Sequence, residues 1–210
     1  MIDPILLLAF VPAALALNLT PGADMLFCLA QGLRGSARPA IAASAGISVG
    51  AMVHVTLAGL GLGALMEAVP WLFGAIRWIG AAYLLWLAWK TLTTPLTTPL
   101  TTGDLPPARP SRAFRDGMLV NLSNPKVILF ILAFVPQFIT PDAPVLPQFL
   151  VFGGVLSVGG FVINGLVGIF AGRIGKRIQR NSRAERGLRT LSAGIFGTLA
   201  LRIGWEAARP

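Results

Sequence analysis

The sequence predicts an all-α membrane protein of six transmembrane helices. They form two inverted three-helix repeats, with helices 1 and 4 broken at Pro21-Gly22 and Asn124-Pro125. Three observations carry this expectation. Only 12% of the 210 residues are charged and 55% are hydrophobic, with a mean hydropathy of +0.74. A soluble domain carries about 25% charged residues, so this chain cannot cover a water-facing surface. The apolar residues gather into six runs, and the basic residues fall between alternate pairs of those runs.

A helix needs roughly 20 apolar residues to cross about 30 Å of hydrocarbon. The runs at about 5–33, 41–63, 70–90, 115–139, 146–171 and 189–206 meet that need. The first is long because NLTPGAD, residues 18–24, interrupts it. The sixth is the weakest, with Arg202 and Glu206 near its end, although Arg202 can snorkel to the interface beside Trp205. If that run does not span, the count falls to five and the C-terminus stays inside. The N-terminus has an apolar stretch without a preceding Lys or Arg, so it reads as a retained first helix rather than a secretory signal.

The net charge of +9 is topological. Arg34 and Arg38 lie in the 1–2 loop, and Lys90, Arg109, Arg112 and Arg115 lie in the 3–4 connection. Seven more basic residues crowd Arg173–Arg189 in the 5–6 loop. The opposite connections carry only Asp3, Glu67 and Asp142. The positive-inside rule then places the basic loops in the cytoplasm and both termini in the periplasm. No aromatic interleaving or binding motif accompanies the basic residues, which argues against nucleic acid as a partner. Cys28 is the single cysteine, so intrachain disulfides and a Cys-x-x-Cys redox pair are excluded.

Residues 92–110, LTTPLTTPLTTGDLPPARP, cannot pack a core and read as an extended linker. The chain is thereby divided into a first three-helix repeat (1–90), a Thr/Pro-rich cytoplasmic linker (91–112) and a second repeat (113–210). Each half opens with a similar signature, Asn18-Leu19-Thr20-Pro21 in the first and Asn121-Leu122-Ser123-Asn124-Pro125 in the second. Two homologous halves with an odd number of spans must enter the membrane from opposite sides. Secondary transporters are built this way, with binding sites at paired broken helices. By residue counting both breaks fall toward the cytoplasmic side, whereas an ideal inverted repeat would mirror them.

A proline break frees upstream carbonyls and creates a new half-helix N-terminus. Such polar backbone is tolerated at membrane depth only beside protein or a water-filled cavity. Asp24 and Lys126 each lie just past a break, and intramembrane charges are costly enough to signal function. Together they suit a zwitterion, Asp24 meeting an ammonium and Lys126 a carboxylate; pairing with each other is the structural alternative. Asn18, Asn121, Asn124 and Asn164 are candidate lining residues, and His54 is a candidate proton relay or structural hydrogen-bonding group. Asp116 beside Arg115 reads as a solvated ion pair, and Arg77 can snorkel outward. The pairs Gly46/Gly50, Gly59/Gly63 and Gly168/Gly172 let helices approach closely, and such faces permit a homodimer.

Three segments carry a resemblance: NLTPGADMLFCLAQGLRGSARPAIAASAGISVGAMVH, GAAYLLWLAWKTL and FRDGMLVNLSNPKVILFILAFVPQF. In this order they resemble the LysE/RhtB family of bacterial amino-acid exporters, over nearly the whole chain. The resemblance implies a small inner-membrane secondary exporter of amino acids or their derivatives, driven by the proton gradient, with no cofactor. It carries over Pro21, Gly22, Asp24, His54, Asn124, Pro125 and Lys126 as motif positions. Ala23 departs from the proline that the family places in the first break, which touches the bend geometry rather than the substrate. The expected partners are a small zwitterionic solute, protons and the lipid bilayer.

A divalent metal-ion exporter is the alternative, since Asp24, His54 and Cys28 offer ligand types. It would require several such residues on facing helices. An intramembrane enzyme lacks support, because no zinc motif, serine elbow or spaced acid pair is present.

Overall fold

The computed structural model describes residues 4–34, 37–68, 72–93, 108–140, 143–171 and 182–207. The Thr/Pro repeats, the N-terminal part of the basic 5–6 stretch, Asp3, Asp142 and Gly172 lie outside these residues, as do the surroundings of Gly63 and the side chains of Glu67, Arg77, Arg202 and Glu206. Among the described residues all regular structure is helical. In chain order the helices are α1 (Pro4–Leu19), α2 (Ala23–Leu33), α3 (Ala37–Ala68), α4 (Leu72–Thr93), α5 (Pro110–Leu122), α6 (Pro125–Phe134), α7 (Val145–Ile169) and α8 (Ser182–Ala207). A 3₁₀ turn, Val135–Phe138, extends α6.

Two of these helices, α3 and α7, are long and apolar enough to cross a membrane. The pairs α1–α2 and α5–α6 meet the same test when each is taken as one bent span, giving up to four spans. The bends are 53° and 55°. Each falls where the sequence places a break, with Thr20–Gly22 between α1 and α2, and Ser123–Asn124 between α5 and α6. The physical cause is local: proline offers no N–H to the carbonyl four residues back and its ring crowds that turn. Pro125 starts α6 at a position where a missing N–H costs nothing, and the Asn124 side chain caps the helix by accepting from Lys126 N–H at 3.1 Å.

Packing is organised around α3, which lies against α5 and α7 and touches α2, while α4 packs on α8 and α6. Small residues set the closest approaches. A methyl group added at Gly46 would run into the Phe114 carbonyl, and one at Gly117 into the Ala43 carbonyl, so α3 and α5 meet backbone to backbone. The same holds at Gly32 against Gly168, where α2 crosses α7. In lipid, where apolar surface gains little by leaving the solvent, such van der Waals contact is what holds helices together.

On the other side of the breaks, Phe10, Phe130, Phe134, Phe138 and Phe152 form one aromatic cluster joining α1, α6 and α7, with neighbouring ring centroids 4.7–6.5 Å apart. Buried Gln148 fastens the connection ahead of α7, accepting from Thr140 N–H at 2.8 Å and donating to the carbonyls of Thr140, Ala143 and Pro144. Cys28 is fully buried, and Asp116 pairs with Arg112 and Arg115 at 3.5 and 3.7 Å on a solvated face. Exposed pairs of this kind contribute little to stability.

Candidate functional site

The two helix breaks meet each other. Pro21 leaves the carbonyl of Leu17 without its helical partner, and Lys126 Nζ donates to that oxygen at 3.1 Å and to the Thr20 carbonyl at 2.8 Å. Pro125 does the same to the carbonyl of Asn121. His54 Nε2 reaches that oxygen at 3.4 Å, and the Asn124 N–H donates to it at 2.9 Å. The side chain of Asn121 donates through Nδ2 to Asp24 Oδ2 at 2.9 Å. Each break is therefore held by residues of the other half of the chain. Asp24 and Lys126 form no direct ion pair: each is bonded to a neutral partner instead.

Two cavities of opposite character flank this crossing. The larger, about 390 Å³, is lined by Gly22 and Ala23 at the start of α2, by Asn124, Pro125 and Lys126 at the start of α6, and by Trp86 and Lys90 of α4. Leu26, Leu87 and Leu129 supply its apolar wall. It thus sees two half-helix N-termini, whose positive dipole ends favour an anion; the start of α2 has no side-chain cap, whereas the first N–H groups of α6 are taken by Asn124. Lys126 has three donors and spends two on carbonyls, leaving one N–H. Asn124 Nδ2 is buried without a partner. Lys90 Nζ sits 4.7 Å over the Trp86 ring, a cation–π contact that holds its charge at the mouth. Tyr83 donates to the Lys126 carbonyl at 3.1 Å and steadies the start of α6.

The smaller cavity, about 20 Å³, lies on the other side of the crossing. Leu17 and Asn18 from the last turn of α1 and Asn121 from the end of α5 line it, together with Asp24 and Val127 from the first turns of α2 and α6. Asp24, Ser157 and Asn164 complete its polar lining. Asn18 is held by a bond from Nδ2 to the Leu156 carbonyl at 3.0 Å, and Ser48 by one to the Ser157 carbonyl at 3.0 Å. Asp24 Oδ1, Asn121 Oδ1, Asn164 Oδ1 and Ser157 Oγ are all buried there without a hydrogen-bond partner.

The candidate residues thus separate. Asp24, Asn18, Asn121 and Asn164 line the small cavity; Lys126, Asn124, Pro21, Gly22 and Pro125 line the large one. His54 lines a third, apolar groove of about 580 Å³ along α3 and α6, and touches the site only through the Asn121 carbonyl. Sequence reasoning missed Lys90, Trp86, Ser48 and Ser157. Ser157 was findable: with Gly160 and Asn164 it forms a small or polar stripe on one face of α7 at helical spacing. From the sequence alone Lys90 reads only as a loop charge. Among the described residues no group of three His, Cys, Asp or Glu side chains gathers to hold a metal ion.

Residues 15–206 match the family described as LysE type translocator. The chain belongs to that family. It is a multi-pass membrane transporter rather than an enzyme. As a LysE-type protein it has full-length relatives. It is 33% identical over 201 residues to an uncharacterized membrane protein of Vibrio cholerae, covering 94% of this chain and 93% of that one. It is 31% identical over 196 residues to a homoserine/homoserine lactone efflux protein of Salmonella typhimurium, covering 93% and 92%. A leucine efflux protein of Enterobacter sp. matches at 31% over 193 residues, covering 90% and 89%. No solved structure gives a significant match.

Proposed function

We propose that this LysE-type transporter is a secondary active exporter of amino acids or amino-acid derivatives, proton-coupled and working by alternating access at the crossing of the two broken helices. It acts in a bacterial inner membrane, with six spans in two inverted repeats and both termini periplasmic. The observation that carries the substrate class is the large cavity. Its volume, about 390 Å³, lies within the usual range of roughly 300–1,000 Å³ for small-molecule sites. Its donors, the spare N–H of Lys126, Asn124 Nδ2 and the uncapped start of α2, fit a carboxylate. Its leucine walls fit a short aliphatic side chain. Relatives named for efflux of leucine and of homoserine or its lactone support the same class.

The two intramembrane charges then take different tasks. Lys126 binds the solute carboxylate, while Asp24, across the crossing, takes the proton that drives the cycle. Because Asn121 bonds Asp24 and shares its break with the start of α6, loading one cavity bears on the other. Coupling needs such a link between two sites and two conformations. His54, at the Asn121 carbonyl, is placed to respond to the same movement.

The test is efflux of a labelled amino-acid panel from cells or oriented proteoliposomes, comparing wild type, Lys126→Gln and Asp24→Asn at matched membrane abundance. The expected result is efflux of one amino-acid class, with solute affinity lost in Lys126→Gln and proton dependence lost in Asp24→Asn. Wild-type membranes that move no amino acid under a proton gradient would overturn the substrate class.

A further inference from the structure

We propose that the small cavity behind the crossing is a binding site for one dehydrated monovalent cation, sodium. Four oxygens argue for it. Asp24 Oδ1, Asn121 Oδ1, Asn164 Oδ1 and Ser157 Oγ are buried with no partner, and all four belong to residues lining this cavity. Asn121, Ser157 and Asn164 are only 1%, 7% and 3% exposed, so bulk water does not satisfy them. A buried acceptor without a donor costs about 1–3 kcal/mol. Leaving several in one place needs a common partner.

The chemistry of the lining selects that partner. Every unpartnered group is an oxygen able to accept, and hard oxygen ligands suit hard cations. A water offers two hydrogens and cannot serve three carbonyl-type oxygens at once, whereas a cation serves them all. Asp24 is the only ionisable side chain in the lining, and the Lys126 ammonium is close by on the Leu17 carbonyl. With one cation already near, a divalent ion would leave more uncompensated buried charge than a monovalent one.

Size completes the selection. A cavity of about 20 Å³ exceeds the roughly 10–15 Å³ that one water-sized occupant needs, and no more. An amino acid does not fit, which separates this site from the solute cavity, and the carboxylate, a ligand of high field strength, favours the smaller sodium ion over potassium. This deepens the coupling role proposed for Asp24, since a proton on that carboxylate and a sodium ion beside it are alternative ways to neutralise the same group.

The experiment is sodium binding to the purified full chain in detergent, followed by the thermal unfolding midpoint in NaCl, KCl and choline chloride at constant ionic strength, and by ²²Na⁺ binding. The expected result is saturable stabilisation by sodium alone, weakened about 10-fold in affinity by Ser157→Ala and abolished by Asp24→Asn. Equal midpoints in the three salts with no saturable ²²Na⁺ binding would overturn the proposal. So would sodium binding unchanged in both variants. If Asp24→Asn does not fold, Ser157→Ala and the salt comparison on the wild type still decide. Sodium binding without amino-acid efflux would keep the site and sink the exporter; efflux without sodium binding would do the reverse.

Discussion

The two cavities beside the helix crossing are made from the same two breaks, yet one collects donors and the other acceptors. The large one faces the starts of α2 and α6 and carries Lys126, Lys90 and an unpartnered amide N–H. The small one is lined by the last turns of α1 and α5 and the first turns of α2 and α6, and carries Asp24 and unpartnered oxygens. The difference follows from which way the first turns send their side chains: Asp24 of α2 lines the small cavity and Lys126 of α6 the large one. A single chain thereby obtains one cavity with an unpartnered donor and one with unpartnered acceptors a few residues apart.

That contrast can be broken most directly at Lys126. Replacing it by alanine removes the only charged partner of the Leu17 and Thr20 carbonyls as well as the proposed carboxylate donor. Charge-assisted bonds contribute about 1.5–3 kcal/mol each. We expect Lys126→Ala to abolish measurable efflux and to lower the unfolding midpoint in detergent. An unchanged midpoint would mean that Lys126 does not hold the α1 terminus.

Asn121 tests the link between the cavities, since it holds Asp24 at 2.9 Å and ends α5 at the second break. Asn121→Ala should weaken transport about 10-fold, the cost of one buried hydrogen bond to a charged group. The loss should appear in the dependence on the driving ion more than in the solute concentration giving half-maximal efflux. A purely solute-side effect would assign Asn121 to the other cavity.

Gly22 sharpens the comparison further. Its backbone is extended, at φ −165°, so alanine brings no conformational strain, but the new methyl would sit 3.1 Å from Lys126 Nζ. Gly22→Ala should leave folding intact and weaken solute affinity about 3- to 10-fold by displacing the ammonium, a cost of about 1 kcal/mol. Efflux titrated against solute concentration checks it.

The smallest effect belongs to Lys90, which is exposed and already engaged over Trp86. Lys90→Gln should lower solute affinity by less than about 5-fold, and the difference should shrink as salt rises from 50 to 500 mM, because exposed charges are screened. An effect independent of salt would place Lys90 in direct contact with the solute.

The legible parts of this molecule are local. A proline after a helical run breaks it wherever the chain later packs, and the bends lie at Pro21 and Pro125 as the residues require. Asp24 and Lys126 stood out because a charge inside an apolar run is costly. Lys90, Trp86, Ser48 and Ser157 were not singled out, because each is ordinary in its own segment. A lysine ending a span, or a serine in a helix, acquires meaning only from what faces it.

The zwitterion expectation shows where that boundary lies. Asp24 and Lys126 can hold one solute between them only where neighbours of similar breaks share a cavity. In the fold Lys126 reaches across to the α1 carbonyls and Asp24 turns to Asn121, 97 positions away, so the charges line different spaces.

By itself the sequence determined the membrane-spanning character, the two break points, the carbonyls those breaks expose and the charges beside them, all consequences of composition and of bonding within four residues. The tertiary structure alone decided which partner meets each freed carbonyl, and on which side of the crossing each charge stands. Those outcomes depend on how closely glycine-lined helices approach, a property of surfaces that only meet once the chain has folded.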